Sequence, residues 1–361
     1  MSDVAPAAGE DAERARPLDT AVEFVRELGV PRLLIAVFVV ALFVVAAVTH
    51  MDLGRLVTDS LSRVARNGIL VLALLPAVQG GLGLNFGLPL GIVCGLLACV
   101  ITMNANLSGW LGLSLAALLG AAIAVPAGLA YGWLLNRTRG QEMMVGTYLG
   151  FAVVSAMSVF WTMAPFHNPQ LVWAIGGHGL RTTLTLTGFY DRLLDKLGAF
   201  RLFGVEIPTG TVVVFLGACV VVSLLLRTRV GLSLSAARSN PRFALAAGIS
   251  DEHTRVQAAV ASTVLAAIGI VVFCQSYGFV QLYTAPLLMA FPAVACLLIG
   301  GASVTRATLA HVIVGTVLFQ SILTVALPVT SQVIGGDISE TARLVIQNGM
   351  ILYALTRRGE P

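Results

Sequence analysis

The 361-residue chain is strongly apolar, with a mean hydropathy of +0.89, 57% hydrophobic residues and only 11% charged residues. Soluble domains carry roughly 25% charged residues, so this composition excludes an ordinary soluble domain. The formal net charge of +4 comes from arginines that flank apolar runs, which argues against a nucleic-acid-binding face. No charged residue occurs in 67–136 or in 256–305, and apolar segments of this length are typical of membrane spans.

The apolar runs predict an all-α, polytopic membrane protein with about ten transmembrane helices, since the alternation typical of membrane strands is absent. Residues 1–32 form an N-terminal extension that we expect to be partly disordered, 33–356 form the transmembrane domain, and 357–361 are a short tail. Residues 50–66 are predicted to be a polar connection. The predicted spans are Leu33–Thr49, 67–84, 87–103, 111–135, 143–164, 209–226, 256–279, about 283–300, 306–327 and 341–356.

Arginine placement predicts the orientation, because cytoplasmic connections carry an excess of positive charge. With both termini cytoplasmic, a polar island with five arginines at 227–255 lies inside, and the longest loop, 165–206, lies outside. The arginines of 50–66 then fall outside, against this rule. An amphipathic start to the next helix would explain them.

The polar island contains clear helix boundaries. Asn240 can cap a helix start, Pro241 suits a first helical position, and Gly248 provides a left-handed stop, which together predict a helix over 241–247. Ser250 and the two acids that follow it open the next helix. A helix of about two turns is too short to be stable alone, so it must pack on membrane-side helices or on a soluble partner.

No constellation in the sequence supports catalysis or metal binding. The five histidines are scattered, and the five cysteines all lie in apolar runs without a C-x-x-C pair. We therefore predict no metal site, no cofactor and no enzymatic activity in this chain, and a membrane enzyme lacks any candidate acid–base cluster.

The source of energy follows by elimination. Lys196 is the only lysine and follows Asp195, so the chain lacks the glycine-lysine pair of a standard nucleotide-binding loop. The acids lie at or outside the predicted span ends, which disfavours a proton-coupled carrier. Sodium coupling through carbonyls and hydroxyls stays open, as does an ATP-independent facilitator. If the solute moves uphill, a separate ATPase is the best remaining source of energy, and it would act on the helix at 241–247.

Two apolar segments rich in glycine and proline, Leu75–Pro89 and Gln275–Pro292, predict interrupted helices. Irregular backbone at membrane depth lines a cavity or is buried in protein, so these segments point to a solute path; close helix packing through small residues is the alternative. The side chains predicted to line the path are uncharged, which favours a neutral sugar or nucleoside. They are Gln79, Asn85, Phe86, Thr147, Tyr148, Trp161, Gln275, Tyr277, Gln281 and Gln320.

Three segments carry a family resemblance. Residues 227–250 contain R-T-x-x-G, then an asparagine, an alanine-rich turn and Gly-Ile; Gly80–Gly87 is GGLGLNFG; Leu298–Ser303 is LIGGAS. In these the chain resembles permeases of the ribose, simple-sugar and nucleoside ABC importer family, which is related to the branched-chain amino acid permeases.

The resemblance implies a permease subunit in the bacterial cytoplasmic membrane that carries a monosaccharide or nucleoside, or alternatively a branched-chain amino acid. It also implies a second permease subunit, identical or similar, two ATP-binding subunits that hold ATP and Mg, and an extracytoplasmic solute-binding protein. The region 241–248 would dock on the ATPase. The residues expected to couple to it are Arg227, Gly231, Arg238, Asn240, Pro241, Arg242, Phe243 and Gly248.

Overall fold

The computed structural model describes residues 30–352, except 167, 174–178, 203, 240, 335–340 and 342–343. Helices account for most of this part of the chain, and four three-residue strands lie between them. The helices are α1 (Val30–Val48), α2 (Leu53–Leu72), α3 (Leu74–Gln79), α4 (Leu88–Asn104), α5 (Gly109–Arg137), α6 (Glu142–Met163), α7 (Leu193–Lys196), α8 (Thr209–Arg227), α9 (Arg229–Ser239), α10 (Pro241–Ala246), α11 (Asp251–Tyr277), α12 (Ala285–Ile299), α13 (Leu309–Ile334) and a last helical stretch, α14, at 344–352. The strands are β1 (Thr183–Thr185), β2 (Phe200–Leu202), β3 (Val205–Ile207) and β4 (Phe279–Gln281).

The prediction of an all-α polytopic membrane protein is confirmed. Six helices within the described residues are long and apolar enough to cross a bilayer, and three shorter apolar helices accompany them. The six are Leu53–Gln79, Gly109–Arg137, Glu142–Met163, Thr209–Arg227, Asp251–Tyr277 and Leu309–Gln332; the shorter ones are Arg32–Val48, Leu88–Asn104 and Ala285–Ile299. Nearly all of the predicted N-terminal extension, and the whole of the tail 357–361, lie outside the described residues.

The predicted polar connection at 50–66 is wrong, because α2 begins at Leu53. Asp52 caps this helix, its carboxylate accepting a hydrogen bond of 3.0 Å from the Arg55 backbone N–H. The helix runs on through α3, with a single non-helical residue between them, to Gln79. Its charged residues lie on one helical face, so the apolar run alone places the start of the span too late.

Both predicted interruptions are present. Residues 80–87 are non-helical and mostly buried between α3 and α4, with Gly81 and Gly83 at positive φ values of 73° and 72°. A second non-helical segment, 278–284, separates α11 from α12 and contains β4, which pairs antiparallel with β1. Glycine is the residue best suited to positive φ, so the breaks follow from the sequence itself.

The predicted short helix in the polar island is confirmed as α10, which ends before Gly248 at a φ of 78°. Ser250 precedes the first residue of α11 as predicted, and its backbone carbonyl accepts from the Thr254 hydroxyl at 2.8 Å. Asn240 lies outside the described residues, so its predicted capping role stays a prediction.

Helix α11 is the centre of the bundle, and glycines let α4 and α5 approach it closely. A Cβ at Gly95 of α4 would lie 2.4 Å from the carbonyl oxygen of Ala267. On α5, a Cβ at Gly128 would lie 2.8 Å from the Cα atom of Val260. Small residues of this kind allow backbones to approach within the bundle without steric conflict.

The bundle has two ends. At the arginine end, the α5–α6 connection contacts the start of α11 through an ion pair of 2.9 Å between Arg139 and Asp251. At the opposite end, here called the loop end, the 165–206 region closes over the helices. There the backbone N–H of Arg192 donates to the carbonyl of Gln275 at 2.8 Å, and the N–H of Glu206 donates to the Thr58 hydroxyl at 2.9 Å.

Candidate functional site

A cavity of about 740 Å³ lies at the loop end between α2, the 190–208 region and α13. A second cavity of about 240 Å³ shares Arg63, Arg66 and Leu323 with it and extends toward α11 and α12. The larger cavity is lined by ionisable side chains of both signs. They are Asp59, Arg63, Arg66, Arg192, Asp195 and Glu206.

Arg66 sits at the midpoint of the 27-residue span Leu53–Gln79, about 20 Å along the helix axis from either end. A positive charge on a spanning helix is costly where it faces lipid. The Arg66 side chain instead lines both cavities, and its guanidinium carbon lies 5.8 Å and 5.5 Å from the ring centroids of Phe273 and Tyr277. A charged side chain within a span that lines a cavity is a candidate functional residue.

Two of the three acids of the cavity, Asp195 and Glu206, have partners of their own. Asp195 accepts a hydrogen bond of 2.8 Å from the Ser276 hydroxyl and another from the Thr211 hydroxyl. Glu206 forms an ion pair with Arg201 on the neighbouring strand. These contacts tie the 190–208 region to α8 and α11 and hold the cavity wall in place.

Three of the predicted path residues meet in the smaller cavity. Tyr277, Gln281 and Gln320 line it together with Arg66. They come from α11, β4 and α13, so the fold brings together residues that are distant in sequence.

The side chains of three other predicted polar path residues form hydrogen bonds within the protein. The Gln79 amide donates to the Ala307 carbonyl at 2.6 Å, and the Thr147 hydroxyl donates to the Met143 carbonyl of its own helix at 2.8 Å. The side-chain carbonyl of Gln275 accepts from the Leu194 backbone N–H at 3.2 Å.

Asn85 organises the non-helical segment 80–87. Its carbonyl oxygen accepts from the Gly87 N–H at 2.9 Å and from the Tyr131 hydroxyl at 2.8 Å, and its amide donates to the Ser262 hydroxyl at 2.8 Å. Ser262 and Gln275 are thirteen residues apart on α11, or about 20 Å. The polar residues predicted to form one path therefore lie at two depths.

The predicted aromatic lining is also divided. Trp161 is 1% exposed in the protein core, whereas Tyr148 is 67% exposed on the outer face of α6. The Phe86 ring lies 5.6 Å from the ring of Phe291 at α12. These three rings do not share a cavity with Arg66 in the described part of the chain.

The charged residues of α2 were predicted to lie in a connection, with an amphipathic helix start as the alternative, and the structure supports the alternative. Asp59, Arg63 and Arg66 are spaced by four and three residues, and this spacing places them on one helical face. The same spacing could have shown that 50–66 is an amphipathic helix with its polar face turned toward the protein interior.

A buried ion-pair network at the arginine end was also not predicted. The Arg255 guanidinium pairs with Glu142 at 2.6 Å, with side-chain exposures of 9% and 17%. It donates further hydrogen bonds to the Asn136 side-chain oxygen at 3.0 Å and to the Gly81 carbonyl at 3.3 Å. One side chain thus connects α11, α5, α6 and segment 80–87.

The predicted coupling residues lie at this same end. Gly231 is buried, and a Cβ there would lie 2.2 Å from the Cα atom of Leu226, so glycine permits the tight α8–α9 turn. The Arg238 guanidinium donates to the Thr305 carbonyl. The Arg227 and Arg242 side chains are exposed, and Phe243 is 65% exposed. Pro241 is the first residue of α10.

The fold and the two ends define a multi-pass α-helical membrane protein with an internal polar cavity. A family model described as "Branched-chain amino acid transport system / permease component" matches residues 56–355. The chain therefore belongs to this family, the permeases of branched-chain amino acid and sugar ABC transporters, and the resemblance found in the sequence is confirmed. No curated protein and no solved structure matches the chain.

Proposed function

We propose that the chain is the membrane-spanning subunit of an ATP-driven importer, and that a separate ATPase subunit docks on α9 and α10. The observation that carries this proposal is the exposed apolar surface of a short helix at an otherwise arginine-rich end. Phe243 and Leu245 of α10 are 65% and 63% exposed, while Ala244 between them is 2% exposed. A partner that covers these side chains accounts for their exposure.

Contacts lead from this surface into the bundle. Arg238 of α9 donates to the Thr305 carbonyl, and its side chain packs near Gly81. Gly81 in turn accepts a hydrogen bond from Arg255 of α11. A displacement of α9 and α10 by the ATPase would thus reach segment 80–87 and α11 through direct contacts.

In this proposal the arginine end is cytoplasmic, as expected for a positively charged end, in the bacterial cytoplasmic membrane. The loop end is extracytoplasmic and meets a solute-binding protein, and a second permease subunit completes the path. The solute is small and polar. The ionic lining of the larger cavity favours a solute with an ionised group over the neutral monosaccharide or nucleoside predicted from uncharged side chains.

The Gly248→Val substitution tests the docking surface. Valine is strained at a φ of 78°, so the end of α10 should be distorted and the ATPase contact weakened, with at least a tenfold loss of ATPase co-purified with the full chain. The matched control is Gly188→Val, which places the same strain at a φ of 89° at the loop end, with open space around it.

The measurement is pull-down of the ATP-binding subunit encoded beside this chain, followed by ATP hydrolysis in nanodiscs. Equal recovery of the ATPase with Gly248→Val and wild-type chains would contradict the docking site. Uphill solute accumulation by the purified chain alone in liposomes would favour a self-sufficient carrier.

A further inference from the structure

The Arg66 side chain is partly buried and forms no ion pair among the described residues, while Asp195 and Asp59 lie near enough to act on its charge. Its Nε atom is buried and has no hydrogen-bond partner within the described residues. None of the ion pairs in this part of the chain includes Arg66. The Nε–H is therefore available to a ligand in the cavity, because a buried donor without a partner is costly.

The surroundings of Arg66 suit a small organic anion. The rings of Phe273 and Tyr277 lie against the guanidinium, 5.8 and 5.5 Å from its carbon, and limit its motion. Such rings attract a cation without neutralising it. Asp195, the acid of the same cavity that lies nearest to α11, already accepts hydrogen bonds from two hydroxyls.

We propose that Arg66 binds the carboxylate of the transported solute, with the rings of Phe273 and Tyr277 packed beside it. A guanidinium fork matches a carboxylate through two parallel hydrogen bonds, and the match is strongest where water is excluded. This inference rests on the proposed function only in identifying the occupant of the cavity as the solute.

The test measures the electrostatic potential of the cavity without knowledge of the solute. Ser62 lines the larger cavity one helical turn before Arg66, at a spacing of roughly 5–6 Å between Cβ atoms. The full-length chain with Ser62→Cys is placed in phosphatidylcholine nanodiscs. The rates at which an anionic and a cationic methanethiosulfonate modify the new thiol are then compared. The native cysteines are all buried, and the chain without Ser62→Cys serves as the blank.

The anionic-to-cationic rate ratio is expected to fall about tenfold or more when Arg66→Gln is added, since one unit charge acts at short range in a medium of low polarity. The ratio cancels any change in the reactivity of the thiol itself. Arg66→Lys keeps the charge and should keep the ratio. Arg55→Gln is the matched control, because Arg55 is exposed on the same helix and lines neither cavity.

Binding of a carboxylate is tested by protection. Sodium acetate should slow anionic labelling of Ser62→Cys relative to sodium chloride at equal ionic strength, and acetamide, which has the same shape without the charge, should not. Protection should disappear with Arg66→Gln. Equal effects of acetate and acetamide, or a ratio unchanged by Arg66→Gln, would overturn the proposal.

A lipid headgroup is the other source of an anion. If phosphatidylglycerol in the nanodisc slows anionic labelling more with Arg66 present than with Arg66→Gln, and acetate does not protect, Arg66 contacts lipid and the proposal is wrong. Because none of these measurements needs an ATPase, they can fail while ATP-driven import stands, and the reverse also holds.

Discussion

The Arg255→Gln substitution is expected to lower the free energy of unfolding by about 3–5 kcal/mol, because it leaves the Glu142 carboxylate buried without its charged partner. It also removes hydrogen bonds to Asn136 and to the Gly81 carbonyl, so segment 80–87 should loosen as well. The measurement is reversible unfolding of the full chain in mixed micelles, together with protease sensitivity of 80–87.

The matched control is Arg139→Gln at the same end of the bundle. Arg139 pairs with Asp251 at 2.9 Å, but its side chain is 49% exposed. Exposed ion pairs contribute about 0–1 kcal/mol, so this variant should unfold almost like the wild type. If the two variants unfold alike, the Arg255 network does not stabilise the arginine end.

The second large effect is expected at the contact between α12 and α13. A Cβ at Gly300 would lie 1.8 Å from the His311 carbonyl oxygen, and a Cβ at Gly315 would lie 1.8 Å from that of Cys296. Backbone atoms cannot move aside as a flexible side chain can. Gly300→Ala and Gly315→Ala should each lower the free energy of unfolding by about 1–3 kcal/mol or more. Both should also sharply reduce the yield of folded protein.

Gly217→Ala controls for the loss of a glycine, since a Cβ on this residue of α8 has open space around it. Yield of monodisperse protein by size-exclusion chromatography and the melting temperature report the result. A yield and a melting temperature of Gly300→Ala equal to those of the wild type would contradict the close contact between α12 and α13.

The helices could be predicted from sequence because their signals are local. Long apolar runs are typical of membrane spans, and glycines such as Gly81 and Gly248 favour the end of a helix because they accept a left-handed backbone. The main prediction placed the start of α2 too late, because Arg63 and Arg66 look like a connection to any criterion based on mean hydropathy. Only their helical spacing distinguishes an inward-facing polar stripe from a loop.

The site was less predictable because it depends on tertiary contacts. Nothing local to Arg255 shows that it meets Glu142 and Gly81, which are distant in sequence. Gln275 and Asn85 also lie in similar irregular segments, yet the fold separates them by about half of α11. The sequence therefore shows which polar residues lie in apolar runs, but their partners come only from the structure.

Helix α11 is unbroken over 27 residues, a length of about 40 Å. Its first turns hold Arg255, and its last turns hold Phe273 and Tyr277 against Arg66. As a rigid rod pivoted near its first turn, it converts a tilt of about 10° into a shift of about 7 Å at the far tip. If the proposed ATPase docks at the arginine end, a small tilt there would open or close the cavity at the loop end without any helix having to unwind.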